Sequence, residues 1–303
     1  NDGDDWLEGE AAADTLVGGN GTPFHEAREP GDDVFDGGAG PDAIDGEGGD
    51  DIIINSADRD SNEGLFGFDW MTHVRDTQGA TSDLAFNPVV PDPANLQDTF
   101  LEVEGLSGSP QADTLRGDSR TAATLGADQR IANPAQIAKI AGLGALLPTG
   151  ATSFDGGNIL LGGAGPDLLE GRGGDDIIDG DAFLDVQLNR GGTLFNSLPQ
   201  FQSSLTVGQL GTLQIVRSIK SAAGLGDAAV FSDVFANYDI VRNGTTVTVT
   251  HARGTRADGS DTARNVEAKT CTAASRIAGT FAVRVTIASN WSLTCPCRRR
   301  SGR

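Results

Sequence analysis

Cysteine is missing from the first 270 residues of this 303-residue chain, since Cys271, Cys295 and Cys297 all fall in the last 33. A disulfide framework therefore cannot brace the bulk of the fold. Aromatic residues make up only 6% of the chain, with one Tyr and one Met, so little core mass comes from large rings. Bases are scarce: 22 Lys and Arg against 43 Asp and Glu leave a net charge of −21. That balance argues against nucleic acid or an anionic membrane surface as a partner and favours a cation. No apolar run approaches the roughly 20 residues needed to cross a bilayer, which excludes a transmembrane helix. No signal peptide is legible, and the opening at Asn1, in mid-pattern and without Met, reads as a fragment. The length suits one large domain or two ordinary ones.

Glycine and aspartate are what the chain has in abundance, with Gly at 42 residues. In "GGAGPDAIDGEGGDDIII", residues 37–54, they follow a period. Read as two nines, the stretch places Asp42 and Asp51 sixth and Ile44 and Ile53 eighth. Carried outward, the frame gives Asp5, Asp14 and Asp33 at sixth positions and Leu7, Leu16 and Phe35 at eighth ones. One register break falls in "GGNGTPFHEAREPGDD", where an insertion is expected to bulge. A single remnant, "GSPQADTLRGD", holds Asp113 and Leu115. A last patch, "FDGGNILLGGAGPDLLEGRGGDDIIDGD", carries Asn158, Asp167 and Asp176 with Leu160, Leu169 and Ile178.

Six residues of turn and three of strand would send the chain back and forth across a flattened coil, two repeats to a turn. Asp33 should then stack on Asp51, and Asn158 on Asp176. Burying one Leu or Ile per repeat contributes roughly 1.5 to 3 kcal/mol, whereas fixing nine backbones costs on the order of 1 to 2 kcal/mol each. A cation held between stacked turns would close that gap. Carboxylates and backbone carbonyls are hard oxygen donors suited to Ca2+, while Mg2+ demands a smaller octahedral site and keeps its waters. Ligation would then supply folding free energy. The competing readings are a solvated, disordered Gly/Asp linker and a calcium-free coil stacked through its apolar positions.

Between the patches the character changes. Residues 64–104 hold Phe66, Phe68, Trp70 and Phe86 with Pro88, Pro91 and Pro93, and read as a packed insertion ending in a short helix near Ala94 to Thr99. Asn133-Pro134 followed by Ile137, Ile140, Ala141, Leu143 and Leu147 predicts an N-capped helix ended by Pro148. These segments are expected to lean on the coil and shield its ends. "TVGQLGTLQIVRSIKSAAGLGDAAVF" reads as mixed helix and loop, and "YDIVRNGTTVTVTHARG" as a hairpin turning at Asn243-Gly244, forming a cap or a small separate module. The fold class is thus mainly β: a parallel β-roll with irregular and short helical insertions and a C-terminal hairpin. The divisions drawn are 1–63 and 154–181 as roll patches, 64–153 as an insertion, 182–267 as a mixed segment with the hairpin, and 268–303 as a basic tail.

No catalytic motif is legible. His25, His73 and His251 lack partners at metal-helix spacing, and His73, in "DWMTHVRD", reads as structural or surface. Nucleophile-elbow, phosphate-loop and dinucleotide signatures do not occur. Cys295-Pro-Cys297 offers a metal pair or a disulfide with Cys271 but lacks the other ligands of a zinc site.

The nonapeptide patches resemble the RTX, or hemolysin-type calcium-binding, family, whose G-G-x-G-x-D-x-U-x repeat forms a parallel β-helix. "GFDWMTH", "VEGLSGS", "ALLPTGATSFDGGNILLGGAGPDLLEGRGG" and "DGSDTARNVE" further resemble the C-terminal region of bacterial secreted proteins that pair an animal-type heme peroxidase domain with RTX repeats. The resemblance implies Ca2+ as the cofactor, held by sixth-position side chains Asp33, Asp42, Asp51, Asn158, Asp167 and Asp176. With them go the turn glycines Gly38, Gly40, Gly46, Gly48, Gly163, Gly165, Gly171 and Gly173. It also implies a secreted, extracellular protein exported by type I secretion machinery, a structural or secretion-associated role, and a catalytic domain that lies elsewhere. A calcium-dependent surface adhesin binding extracellular polysaccharide is the other alternative. After Glu267 no acid occurs, while Lys269, Arg276, Arg284, Arg298, Arg299, Arg300 and Arg303 appear. This tail reads as a frame-shifted, unstructured sequence or as a natural basic arm.

Overall fold

The computed structural model describes residues 3–19, 31–56, 58–87, 97–205, 212–222, 224 and 226–267. Each repeat spends its last three residues as strand: Val34–Asp36, Ala43–Asp45 and Ile52–Ile54 follow one another and fall alternately in two facing sheets. Successive side chains of a strand point to opposite faces. The eighth residue therefore points inward, and the seventh and ninth point out.

One sheet has ten strands. In order they are Trp6–Glu8, Val34–Asp36, Ile52–Ile54, Trp70–Thr72, Gly105–Ser107, Ile159–Leu161, Ile177–Asp179, Ser260–Arg264, Thr246–His251 and Tyr238–Asn243. The first eight are parallel and in register, Phe35 beside Ile53 and Leu160 beside Ile178. Across the interior lie two four-stranded parallel sheets. One runs through Thr15–Val17, Ala43–Asp45, Ser61–Glu63 and Thr99–Leu101, the other through Thr81–Asp83, Thr114–Arg116, Leu168–Glu170 and Ala228–Ala229. The fold is a parallel β-roll, not a closed barrel. Trp70–Thr72 and Gly105–Ser107, from the stretch between the patches, carry the long sheet from one patch to the next, so the repeats share one stack on that side, while the opposite side is divided between two sheets.

The interior is narrow and apolar: Phe35, Ile53, Met71, Leu106, Leu160 and Ile178 from the long sheet meet Ile44, Phe100, Leu115 and Leu169 from the other side. A second core forms on the outer face of the long sheet, where Val34, Ile52, Ile54, Trp70, Ile159 and Leu161 pack under Ile140, Leu143, Leu147 and Phe154. This explains why "III" at 52–54 is apolar without alternation, since both faces of that strand are covered. In the opposite sheets Ser61, Glu63, Thr114 and Arg116 hold the outward seventh and ninth positions and are half-buried.

Several local expectations need correction. The single helix after Asn133 is two short ones, Pro134–Lys139 and Leu143–Leu146, interrupted where Ala141 bridges Ser218 and Gly142 takes φ 89°. Those helices cover a face of the roll, not its ends. Thr99 opens a strand instead of closing a helix. Residues read as mixed helix and loop form the strand Gln214–Ser221, antiparallel to Ala182–Arg190. That strand lacked a clean alternation because its partner, not its own pattern, decides which side is covered. The hairpin exists, but Asn243 pairs with Thr246, so the turn is Gly244-Thr245, one residue later than expected. It joins the long sheet through Ser260–Arg264 and caps the roll. His251 is the last residue of the strand Thr246–His251. The insertion bulge with His25, residues 88–96 and the tail with its three cysteines lie outside the described residues.

Candidate metal centre

Most turns end on a sixth-position residue whose backbone N–H donates to the side chain of its counterpart in the next coil; the run is interrupted between Glu104, whose N–H donates to Asp69 O, and Asn158, whose Oδ1 accepts from Asp118 N. On the long-sheet side the N–H of Asp5 reaches Asp33 Oδ1 at 2.7 Å, Asp33 reaches Asp51 at 2.7 Å, and Asp51 reaches Asp69 at 2.8 Å. Asp69 then reaches Glu104 Oε2 at 2.9 Å, Asn158 reaches Asp176 at 2.7 Å, and Asp176 reaches Asp261 at 2.9 Å. A second ladder on the other side runs from Asp14 through Asp42 and Asp60 to Asp98, and from Ala80 through Asp113 and Asp167 to Asp227. Short Asp side chains suit this register because the acceptor must sit one strand spacing, about 4.8 Å, from the donor's own coil.

One carboxylate oxygen per residue is thereby used. Among the described residues, the buried Oδ2 atoms of Asp14, Asp42, Asp51, Asp69, Asp167, Asp176 and Asp227 have no hydrogen-bond partner. Each is aimed at the first-position glycine of its own turn or of a neighbouring one. A Cβ on Gly162 would lie 2.6 Å from Asp167 Oδ2 and 2.5 Å from the carbonyl oxygen of Gly180. On Gly9 it would lie 2.8 Å from Asp14 Oδ2 and 2.6 Å from Gly37 O. The missing methyl thus leaves a cradle in which a carboxylate oxygen and a carbonyl oxygen of the adjoining coil converge.

The electrostatics follow from the stacking. Burial, then the neighbouring carboxylates, push Asp33 up to about 6 and Asp167 up to about 8. Burial likewise takes Asp60 up to about 7 and Asp227 to about 6, and holds Asp51, Asp69, Asp176 and Asp261 well above the ordinary carboxylate range. The backbone N–H bonds of the ladder pull the other way and do not win. A column of buried like charges with orphaned oxygens calls for protons or for a cation.

The donor set fits a hard cation. Among the described residues no three His, Cys, Asp or Glu side chains converge on one point; the cradles instead combine a single carboxylate oxygen with main-chain carbonyls. Oxygen donors of this kind suit Ca2+ and not the softer metals.

The residues singled out in the sequence fall as follows. Asp33, Asp42, Asp51, Asn158, Asp167 and Asp176 all stand in the ladders. Gly46 and Gly171 occupy first positions, where a Cβ would collide with Asp51 Oδ2 and Asp176 Oδ2. Gly40 and Gly165, at fourth positions, take φ 125° and 114° and pass close to Ala12 O and Gln111 O of neighbouring coils. Gly38 and Gly163 lie at second positions, with φ 86° and 94°. Gly48 and Gly173 are third: the Gly48 carbonyl accepts from Gly31 N at 3.3 Å, and Gly173 N donates to Asp118 O at 3.2 Å.

Sequence reasoning missed the ladder members Asp60, Asp69, Asp98, Glu104, Asp227 and Asp261. A shortened signal was present, an acid two residues before an inward apolar side chain, as in "GFDWM" and "GSDTA". Imposing the full glycine pattern hid it. His73 is buried, with Nδ1 2.8 Å from Asp76 Oδ2 and Nε2 2.8 Å from Ser82 Oγ. This chain has the connectivity of a hydrolytic triad, but Ser82 and His73 are each 2% exposed inside the roll, so its role there is to satisfy buried polar atoms.

Residues 1–22, 29–61 and 152–186 match the family described as RTX calcium-binding nonapeptide repeat (4 copies). The match supports an RTX repeat protein, and the repeats of that family bind calcium. No curated protein matches the chain.

Proposed function

We propose that the chain is a calcium-dependent β-roll module that orders outside the cell when Ca2+ enters the turn cradles, serving as a structural and secretion-associated segment of a secreted protein. The orphaned Oδ2 atoms of the ladders carry this reading. Asp33, Asp42, Asp51, Asp167 and Asp176 would hold the ion with carbonyls of the adjoining turns, Gly46 and Gly171 leaving the room. Calcium supplies the positive charge that keeps stacked carboxylates ionised at neutral pH. The chain's own residues fix the oxygens in place beforehand: the ladder N–H groups orient each carboxylate, and the interior aliphatics set the coil spacing.

Extracellular calcium modules bind at about 10⁻⁴ to 10⁻³ M, which suits a chain exported through type I machinery before it meets calcium. Equilibrium dialysis against radiolabelled calcium tests the proposal. Retained calcium that excess Mg2+ does not displace, and that falls in an Asp51→Asn/Asp176→Asn double variant, is the expected result. Binding unchanged by those substitutions would withdraw the assignment of the ladders.

A further inference from the structure

The two ladders are not uniform along the roll, and the difference is concentrated at its middle. On the long-sheet side the sixth position departs from Asp at two adjacent levels, Glu104 and Asn158. There the second carboxylate oxygen faces a protein cation at Glu104 and is replaced by an amide nitrogen at Asn158. Glu104 is fully buried; its Oε2 accepts the Asp69 N–H at 2.9 Å, as Oδ1 does elsewhere, and its Oε1 lies 2.8 Å from Arg120 Nη1. The same guanidinium donates from Nη2 to Val103 O at 2.9 Å and from Nε to Asp118 Oδ2 at 2.5 Å. Arg120 thus meets carboxylate and main-chain carbonyl oxygens together, the same two kinds of donor that line the cradles.

Asn158 completes the level with neutral groups, Nδ2 donating to Glu104 O at 3.2 Å and Oδ1 accepting from Asp118 N at 2.8 Å. On the opposite side, Asp113 has both oxygens occupied, Oδ2 by Ser109 N at 2.7 Å and Oδ1 by Ser109 Oγ at 2.8 Å and Ala80 N at 2.6 Å. The middle belt therefore has a protein partner at each of these oxygens, Glu104 Oε1 through its ion pair with Arg120, whereas Oδ2 of Asp51 and Asp69 on one flank and of Asp176 on the other has no hydrogen-bond partner.

We infer that the Arg120 guanidinium is a resident cation that takes the place of calcium at the Glu104–Asn158 level, so that the middle of the roll stays ordered without metal and the calcium-filled flanks build onto it. This inference rests on the calcium reading above. A fixed guanidinium is always charged and forms several directed hydrogen bonds, so it gives Glu104 a standing positive partner that pulls against the burial raising this carboxyl to about 8. The flanking turns lack such a donor on their Oδ2 atoms and depend on an ion from solution.

Hydrogen–deuterium exchange on the full chain, in excess chelator and in CaCl2, separates the two ideas. In wild type, peptides covering 99–118 should stay protected in chelator, while those covering 46–54 and 171–179 gain protection of on the order of tenfold or more only with calcium. Arg120→Gln should lose the chelator-resistant protection. Because that variant strands a buried carboxylate, Glu104→Gln/Arg120→Gln serves as a second test: it should fold in calcium yet exchange at 99–118 in chelator. Central and flanking peptides that respond to calcium in parallel, or chelator protection that survives the double substitution, would overturn the resident-cation inference alone. Flanking turns equally protected with and without calcium would overturn the calcium reading and the inference with it.

Discussion

Asp51 shows how much one residue is asked to do. It is wholly buried, its Oδ1 fixes the Asp33 N–H, and its Oδ2 has no partner among the described residues. Replacing it by Asn keeps the shape and removes the charge. Asp51→Asn should raise the calcium midpoint by on the order of tenfold, about 1.4 kcal/mol, as read by calorimetric titration; an unchanged midpoint would remove Asp51 from the site. Gly46→Ala should weaken calcium binding too, since the new Cβ would collide with Asp51 Oδ2 and lie 3.0 Å from Gly64 O. Gly144→Ala, in a helix, should leave calcium binding unaltered and change stability by no more than about 1 kcal/mol. At this scale the sequence was most informative where glycines flank the acid. Asp69, Glu104 and Asp261 were passed over because Phe66-Gly67-Phe68, Val103 and Gly259-Ser260 replace the full motif, leaving only the acid two residues before an inward side chain, and the stacked register gives their place.

Among the elements, the three-residue strands depend on the eighth position. Leu160 is fully buried between Leu106 and Ile178 in register. Leu160→Ala should cost roughly 2 to 5 kcal/mol in a denaturant titration run in calcium, and a loss below about 1 kcal/mol would mean that the interior is not close-packed there. The outer helices can be tested separately. Asn133 Oδ1 accepts from Ala135 N at 2.9 Å and Gln136 N at 3.2 Å, so Asn133→Ala should cost about 1 kcal/mol. Periodicity revealed these strands and this cap, because both are set by nearby residues. The split at Gly142 and the strand Gln214–Ser221 were not legible, since the bridge from Ala141 to Ser218 joins segments far apart in sequence.

For the whole molecule, the ladders are, on the proposed calcium reading, a link between folding, protons and calcium. In metal-free protein the folded-state carboxylates Asp33, Asp227, Asp60 and Asp167 are raised to about 6, 6, 7 and 8, above the unfolded value of about 3.9. The folded state then holds more protons, so their favourable contribution is fully present below about pH 4 and lost as pH rises through 6 to 8. Chelated protein should therefore become less stable between pH 5 and pH 8, as a series of thermal melts will show. In calcium the order should reverse, because ligation needs the ionised carboxylates; melting points that move the same way in both conditions would contradict this linkage. That the patches form one roll was not readable from the sequence, because the strands that join them, such as Trp70–Thr72 and Gly105–Ser107, lack the repeat's glycine pattern.

The most direct test of the central claim is far-UV circular dichroism of the full chain during titration with CaCl2, against a MgCl2 control. The expected result is a cooperative gain of β signal at about 10⁻⁴ to 10⁻³ M calcium, absent with magnesium, rising from a partly ordered baseline set by the Arg120 belt. A spectrum already fully β in chelator and unmoved by calcium would contradict it.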